Sequence, residues 1–292
     1  MNKLDRKDFT IAVKTGSDAN KVKFAKEAVK GEAYYATDSQ NLYFAQTTAG
    51  ASDAFLSKIT PSELAYENIY SLSFDGSDDE LILPAIPELN STSKFTISLW
   101  IRMNGVQSNA FHFISGSSSS SCIKLTTWNY NNGSGIDFSV GSGLVRYSTS
   151  PSSDFILYDN NWHHIVAVFD GSNSFMLVDG SSANVTINSA MPSTAPVDAG
   201  AGARIGSNFS ISHFTDGFID EVAIWSSALS LADATSISEG GESSDISNLD
   251  PLSWWRMGDN DGGSGTTITD QGSGGNDATL QNGPTFSTDV PS

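Results

Sequence analysis

The sequence predicts a mainly β protein, an antiparallel β-sandwich preceded by a small α+β N-terminal appendage. Three observations lead there. Phe95, Ile97, Leu99, Ile101 and Met103 alternate with Thr96, Ser98, Trp100 and Arg102, the period of two of a half-buried antiparallel strand. Turn signals such as Asp170-Gly171-Ser172-Asn173, Asp179-Gly180 and Asp216-Gly217 recur at a spacing of about ten residues, as in sandwiches. Charged residues make up 16% of the chain, while Gly numbers 26 and hydrophobic residues reach 38%. That balance is too apolar for a disordered acidic chain and too polar and Gly-rich for a helical bundle.

Taken in order, residues 1–66 read as the appendage. Phe9, Ile11 and Val13 alternate as a short strand would, and Val22–Val29 fits a strand or a helical turn. Gly31–Phe44 reads as a hairpin turning at Asp38-Ser39-Gln40-Asn41. Residues 53–68 are expected to include a short helix opened by Thr60-Pro61. From Tyr70 the pattern is β. Ile165–Phe169 and Phe175–Val178 form a hairpin, Phe218–Trp225 is a strand, and Ala228–Ile237 is the helical stretch. Residues 67–240 are thus assigned to the sandwich and 241–292 to a C-terminal tail. The adjacent Trp254 and Trp255 would be wasted in a loose tail, so Leu252–Met257 is expected to return to the sandwich, with a weaker strand at Ala278–Gln281.

The formal charge is −18, unevenly spread. The first 30 residues hold eight basic groups, Lys3, Arg6, Lys7, Lys14, Lys21, Lys23, Lys26 and Lys30, against Asp5, Asp8, Asp18 and Glu27. A basic arm that docks on an acidic surface and a solvated lysine-rich segment both fit. The acidic body argues against nucleic-acid binding. No apolar run is long enough for a membrane-spanning helix, so no membrane insertion is expected. Met1–Thr10 has no apolar core of a secretory signal. Cys122 is the single cysteine, which excludes an intramolecular disulfide and a thiolate zinc cage within one chain.

Several ordered blocks carry a resemblance. Ser71–Asp79, Phe95–Ile101, Trp162–Gly171, Arg204-Ile205-Gly206, and Gly217–Trp225 followed by Ala228-Leu229-Ser230 resemble laminin-G-like, concanavalin A-like jelly-roll domains over roughly residues 70–237. Trp255–Asp259, Gly265–Asp270 and Gly275–Leu280 resemble a segment that usually precedes the Phe-Asp-Gly block of that family. Here they come last, as in a permuted order. The Gly31–Tyr43 hairpin resembles one near the N-termini of tailed-phage virion structural proteins. That resemblance implies attachment to a particle through Lys3, Arg6, Lys7, Tyr34, Tyr35, Leu42 and Tyr43. The implied partners are other virion proteins of capsid, portal or tail, further copies of this chain, and host surface glycans. The implied location is the virion surface.

Chemistry narrows from there. Concanavalin A-like glycosidases place two acids on one strand facing one cleft, about 5–5.5 Å apart where configuration is retained. Asp220 and Glu221 are adjacent and should point to opposite faces of a strand. No Gly-x-Ser-x-Gly nucleophile turn exists, and His163 and His164 should face one in and one out. A non-enzymatic role is therefore expected. Calcium, a hard ion taking oxygen ligands, suits Asp75, Asp78 and Asp79 with Asp216 and Asp220 at the neighbouring closing strand. The same acids also suit tight turns on their own. Asp259, Asp261, Asp270 and Asp277 form a weaker acidic set. Glycan contacts are expected from Trp128, Asn129, Tyr130 and Asn131 and from His213 and Phe214. The function expected is a phage virion protein, a capsid decoration or tail component displaying a glycan-binding domain. A free or cell-surface bacterial lectin is the alternative, and a glycoside hydrolase is disfavoured.

Overall fold

The structure, a computed structural model, describes residues 13–16, 33–36, 41–45, 56–59, 66–107, 109–118, 121–130, 133–149, 156–210, 212–238, 241 and 243–291. The chain divides into two units, Met1–Tyr66 and Glu67–Ser292. In the first, the described residues form four strands in order: β1 (Val13–Gly16), β2 (Ala33–Ala36), β3 (Asn41–Ala45) and β4 (Leu56–Ile59). β1 pairs in parallel with β2, and the other pairs are antiparallel. β2 and β3 make the expected hairpin, with Ala36 opposite Asn41. Leu56–Ile59 forms β4, whose backbone groups pair with β3. The short helix expected to open at Thr60-Pro61 falls on residues 60–65, which lie outside the described residues. Lys3, Arg6, Lys7 and the Val22–Val29 segment lie outside the described residues.

The second unit is a sandwich of two antiparallel sheets. Its strands are β5 (Ser71–Asp75), β6 (Glu80–Leu83), β7 (Phe95–Met103), β8 (Asn109–Ser118), β9 (Ser121–Tyr130), β10 (Gly133–Val140), β11 (Gly143–Thr149), β12 (His163–Phe169), β13 (Phe175–Val178), β14 (Val185–Ser189), β15 (Ala203–Ile205), β16 (Asp216–Trp225), β17 (Ser253–Trp255), β18 (Thr267–Ile268), β19 (Ala278–Gln281) and β20 (Thr285–Ser287). One sheet runs β14-β11-β10-β9-β8-β15-β6-β19-β18, and the other runs β13-β12-β7-β16-β5-β20 with β17 also paired to β16. Between them lie Phe95, Phe113, Phe138, Phe169, Leu72, Leu99, Ile165 and Trp255, all fully buried. Phe95 meets Phe138 edge-on at 6.0 Å and Phe169 at 5.1 Å. Burying one such side chain contributes roughly 1.5–3 kcal/mol, so this layer sets the two sheets' spacing.

The tail is built into both sheets. Trp254 and Trp255 pair with Ala223 and Val222, Thr279 with Ile82, and Phe286 with Leu72. Of the weaker acidic set, Asp270 accepts from the backbone N–H of Trp254, Gly272 and Asn276, and Asp277 accepts from that of Asp270. Asp261 accepts from Thr269. Three of these four acids therefore shape the tail's turns.

The outer face of the smaller sheet is covered by residues 227–238 and 243–250. The helix α1 (Leu231–Ser236) is capped by Ser230, whose hydroxyl accepts from the Asp233 N–H. Thr96 Oγ1 donates to Ser227 O and accepts from Leu229 N–H, while Trp225 Nε1 donates to Leu249 O. His163 and His164 point to opposite sides of β12, yet both are buried. The cover buries His164 on the outer face, while His163 is enclosed by Asp159 and Asp179. His164 stacks on Trp100 at 4.6 Å and lies within hydrogen-bond reach of Ser98 (2.7 Å) and Ser238 (2.6 Å).

Candidate functional site

The loops at one end of the sandwich bring together most of the residues singled out above. The loop after β5 holds Asp75, Asp78 and Asp79, which each offer a carboxylate oxygen within 4.8 Å of the others. Asp79 accepts from Asp75 N–H at 2.9 Å, and Asp75 accepts from Ser77 N–H at 2.8 Å. Burial raises the Asp79 pKa; the hydrogen bond from Asp75 N–H opposes this, and the charges of Asp75 and Asp78 add to it. An all-oxygen set of this kind suits a hard divalent cation.

Asp216 opens β16 opposite Asp75. Gly76 has φ 74°, and a Cβ there would stand 2.8 Å from Asp216 Cβ, so glycine is what lets the loop fold against the strand. The Asp216 carboxylate accepts from Asn104 Nδ2 at 2.8 Å, and its backbone N–H and C=O both bond to the Gln107 side chain. Asp220 is not part of this group. It lies four residues further along β16, fully buried, accepting from Asn68 Nδ2 at 2.8 Å and from Glu221 N–H at 2.8 Å. Burial drives its pKa well up, and the Glu221 charge adds to the rise.

The two expected glycan loops meet at the same end. His112 joins them from below: its Nε2 lies 3.1 Å from Thr127 Oγ1 and its Nδ1 3.2 Å from Thr215 Oγ1, the neighbours in sequence of Trp128 and Phe214. Its complete burial pushes its pKa down to about 3, so it is a neutral bracket. Tyr158 Oη donates to Gln107 O at 3.0 Å and reaches Trp128 O at 3.4 Å. Gly76 N–H donates to Thr215 O at 3.0 Å, which ties the acidic loop to the same bracket. His213 Nδ1 sits 3.0 Å from Ser212 Oγ and 3.2 Å from Asn208 Nδ2, and Phe214 is half-buried beside it.

Trp128 is not an open platform. It lies across Gly135, where a Cβ would stand 2.6 Å from the ring. Its Nε1 donates to Asp137 Oδ1 at 3.0 Å, and the Arg146 guanidinium sits 4.6 Å from its ring centre. Asp137 holds Arg146 through two bonds of 2.6 and 2.7 Å. What this hairpin presents outward is therefore an arginine-capped indole. Asn129 is half-buried, and Asn131 and the Tyr130 side chain lie outside the described residues.

The acid pair behaves differently from the expectation of opposite faces. The pairing of β16 with β7 slips between Asp220 and Ala223, and Glu221 has φ 48°. This bulge turns both acids away from the core, to which Ile219 and Val222 both point. Glu221 accepts from Trp254 Nε1 at 2.5 Å and from Arg256 Nε at 3.1 Å, and Arg256 also holds Asp259 at 2.7 Å. The pair thus sits inside the covered layer, fully engaged with protein partners. His163 was another residue whose setting the sequence did not give away. It bridges Asp179 (Nδ1, 2.7 Å) and Asp159 (Nε2, 3.0 Å).

A family profile described as the concanavalin A-like lectin/glucanases superfamily, laminin-G type, matches residues 75–235. Among solved structures, a proposed carbohydrate-binding protein from Bacteroides ovatus ATCC 8483 is similar, with 17% identity, a TM-score of 0.57, and coverage of 90% of this chain and 71% of that one. A heptameric pentraxin from Limulus polyphemus is 14% identical, with a TM-score of 0.47, covering 60% of this chain and 84% of its own. Domains LG4-5 of the mouse laminin alpha1 chain are 16% identical, with a TM-score of 0.40, covering 57% and 44%. No curated protein sequence matches. With more than half its length matched by the family profile and the two-sheet sandwich in place, the chain belongs to the concanavalin A-like lectin/glucanases superfamily.

Proposed function

We propose that residues 67–292 form a non-catalytic carbohydrate-binding domain whose ligand site is the loop end built from residues 75–79, 104–107, 128–129, 208–210 and 212–216. The observation that carries this reading is the His112 bracket, which holds the Trp128 and Phe214 loops and, through Thr215, the acidic loop at one end. These loops carry amide, hydroxyl and aromatic side chains, the mixed lining that sugars require. The similarity to a proposed carbohydrate-binding protein over 90% of the chain supports the same class. A non-catalytic role is supported by the engagement of Asp220 and Glu221 with Asn68, Trp254 and Arg256. Calcium is proposed at Asp75, Asp78 and Asp79, with Asp216 beside them and Asp220 left out.

The finer reading is that residues 1–66 attach this domain to a phage particle, as capsid decoration or tail component. The attachment residues would be Lys3, Arg6, Lys7, Tyr34, Tyr35, Leu42 and Tyr43, and several copies would convert weak single-site affinity into avidity. A bacterial lectin, free or at the cell surface, is the second reading, favoured by the coverage of the Bacteroides protein. Mass spectrometry of purified particles separates the two: the virion reading expects the chain in the particle, and its confinement to the culture supernatant rejects that reading.

A further inference from the structure

A second polar constellation lies on the outer face of the smaller sheet, beyond the cover formed by residues 227–238 and 243–250. Arg102 on β7 is paired with Phe218 on β16, and the guanidinium sits 4.4 Å from the Phe218 ring centre. Trp162, just before β12, meets the same ring edge-on at 6.3 Å. Two donors converge from this group on one carboxylate: Trp162 Nε1 on Asp289 Oδ1 at 2.8 Å, and Arg102 Nη1 on Asp289 Oδ2 at 2.7 Å. Asp289 comes from the chain's own last residues. It follows the three-residue edge strand β20 and is anchored by Ser71 Oγ donating to its carbonyl at 2.6 Å. Arg102 Nε, a further donor, is buried and has no hydrogen-bond partner among the described residues. A buried unsatisfied N–H is costly, and of a charged group more so.

We propose that Trp162 and Arg102 form a recognition site for the carboxylate of an acidic sugar, a uronic acid in a glycan, which Asp289 fills in cis in this structure. One donor to each carboxylate oxygen, flanked by indole and phenyl rings, is the arrangement that binds a charged sugar by its acid group and its apolar edge. Asp289 follows β20, a three-residue strand at the sheet edge, the kind of element that opens locally at small free-energy cost. An incoming carboxylate that also satisfied Arg102 Nε would bind better than the internal one. The choice of a sugar acid over other carboxylates rests on the carbohydrate-binding reading above. The site itself is separate from the loop end.

The test is calorimetry of the full chain with an oligogalacturonate, using its methyl ester as the neutral control. Salt is kept near 0.15 M, where the Debye length is about 8 Å and the chain's net negative charge is screened. Asp289→Ala is expected to bind the oligogalacturonate at least tenfold more tightly than wild type. The methyl ester should not bind at this site, and Asp289→Ala/Arg102→Gln should lose the gain while keeping a cooperative melt. Equal affinity of Asp289→Ala and wild type, or equal binding of acid and ester, overturns the inference. If wild type binds neutral glycans in the same assay, the loop-end reading survives that failure; if it binds neither, both fall.

Discussion

The Arg146 guanidinium lies 4.6 Å from the centre of the Trp128 ring, and Asp137 holds both residues through one carboxylate. Three adjacent strands contribute one residue each, and Gly135 supplies the floor. A methyl group at Gly135 would stand 2.6 Å from both the indole and the Tyr147 carbonyl. Gly135→Ala should therefore displace the indole and cost about 1–3 kcal/mol. Urea unfolding followed by tryptophan fluorescence measures this, and an unchanged midpoint and emission maximum would mean that the ring does not lie on Gly135.

The buried histidines set an acid limit on stability. His112 and His164 are each pushed down to about 3 by burial, whereas the unfolded chain binds protons near 6.5. Their contribution is fully present above that value and is lost as pH falls. His163 has the opposite sign. Burial alone would lower it, but its bonds to Asp179 and Asp159 raise it, so its contribution is present below about 6.5 and fades as pH rises through its folded value. Between about pH 5.5 and 4, His112→Gln should flatten the pH slope of unfolding free energy by about 1.4 kcal/mol per unit, one proton's worth. A slope identical to wild type would show that His112 is not buried neutral.

Calcium should act through the acidic loop. Millimolar calcium is expected to raise the melting temperature of wild type and to leave Asp75→Asn/Asp78→Asn unmoved. No heat on titration and no melting shift on chelation would remove calcium from the account.

The Glu221–Arg256 pair is buried on both sides. Glu221→Gln keeps an acceptor for Trp254 but leaves Arg256 short of a counter-charge. The expected loss is about 3–5 kcal/mol, read from urea unfolding. A loss below about 1 kcal/mol would mean that Asp259 and the Glu67 carbonyl suffice for Arg256.

The sandwich was legible because its strands alternate. Phe95–Met103 gave a period of two, and Asp179-Gly180, at φ 50° and 71°, is the two-residue turn that its residues demand. The tail's return followed from the cost of exposing Trp254 and Trp255. The opposite facing expected of Asp220 and Glu221 fails because no glycine in the run Asp220–Trp225 marks the bulge. Likewise, nothing in Trp128-Asn129-Tyr130 reveals that Arg146, eighteen positions away, caps the indole. That contact depends on register across β9, β10 and β11. The buried state of His164 depends on Ser238 and its neighbours lying over the sheet, a tertiary fact absent from the local pattern.

The most direct test of the loop-end site is a glycan array with the full chain, comparing wild type with His213→Ala/Phe214→Ala at matched melting temperature. The account predicts that wild type retains a defined set of glycans and that the variant loses at least tenfold in affinity for them. Retention of no glycan by wild type, or equal binding by the variant, would contradict it.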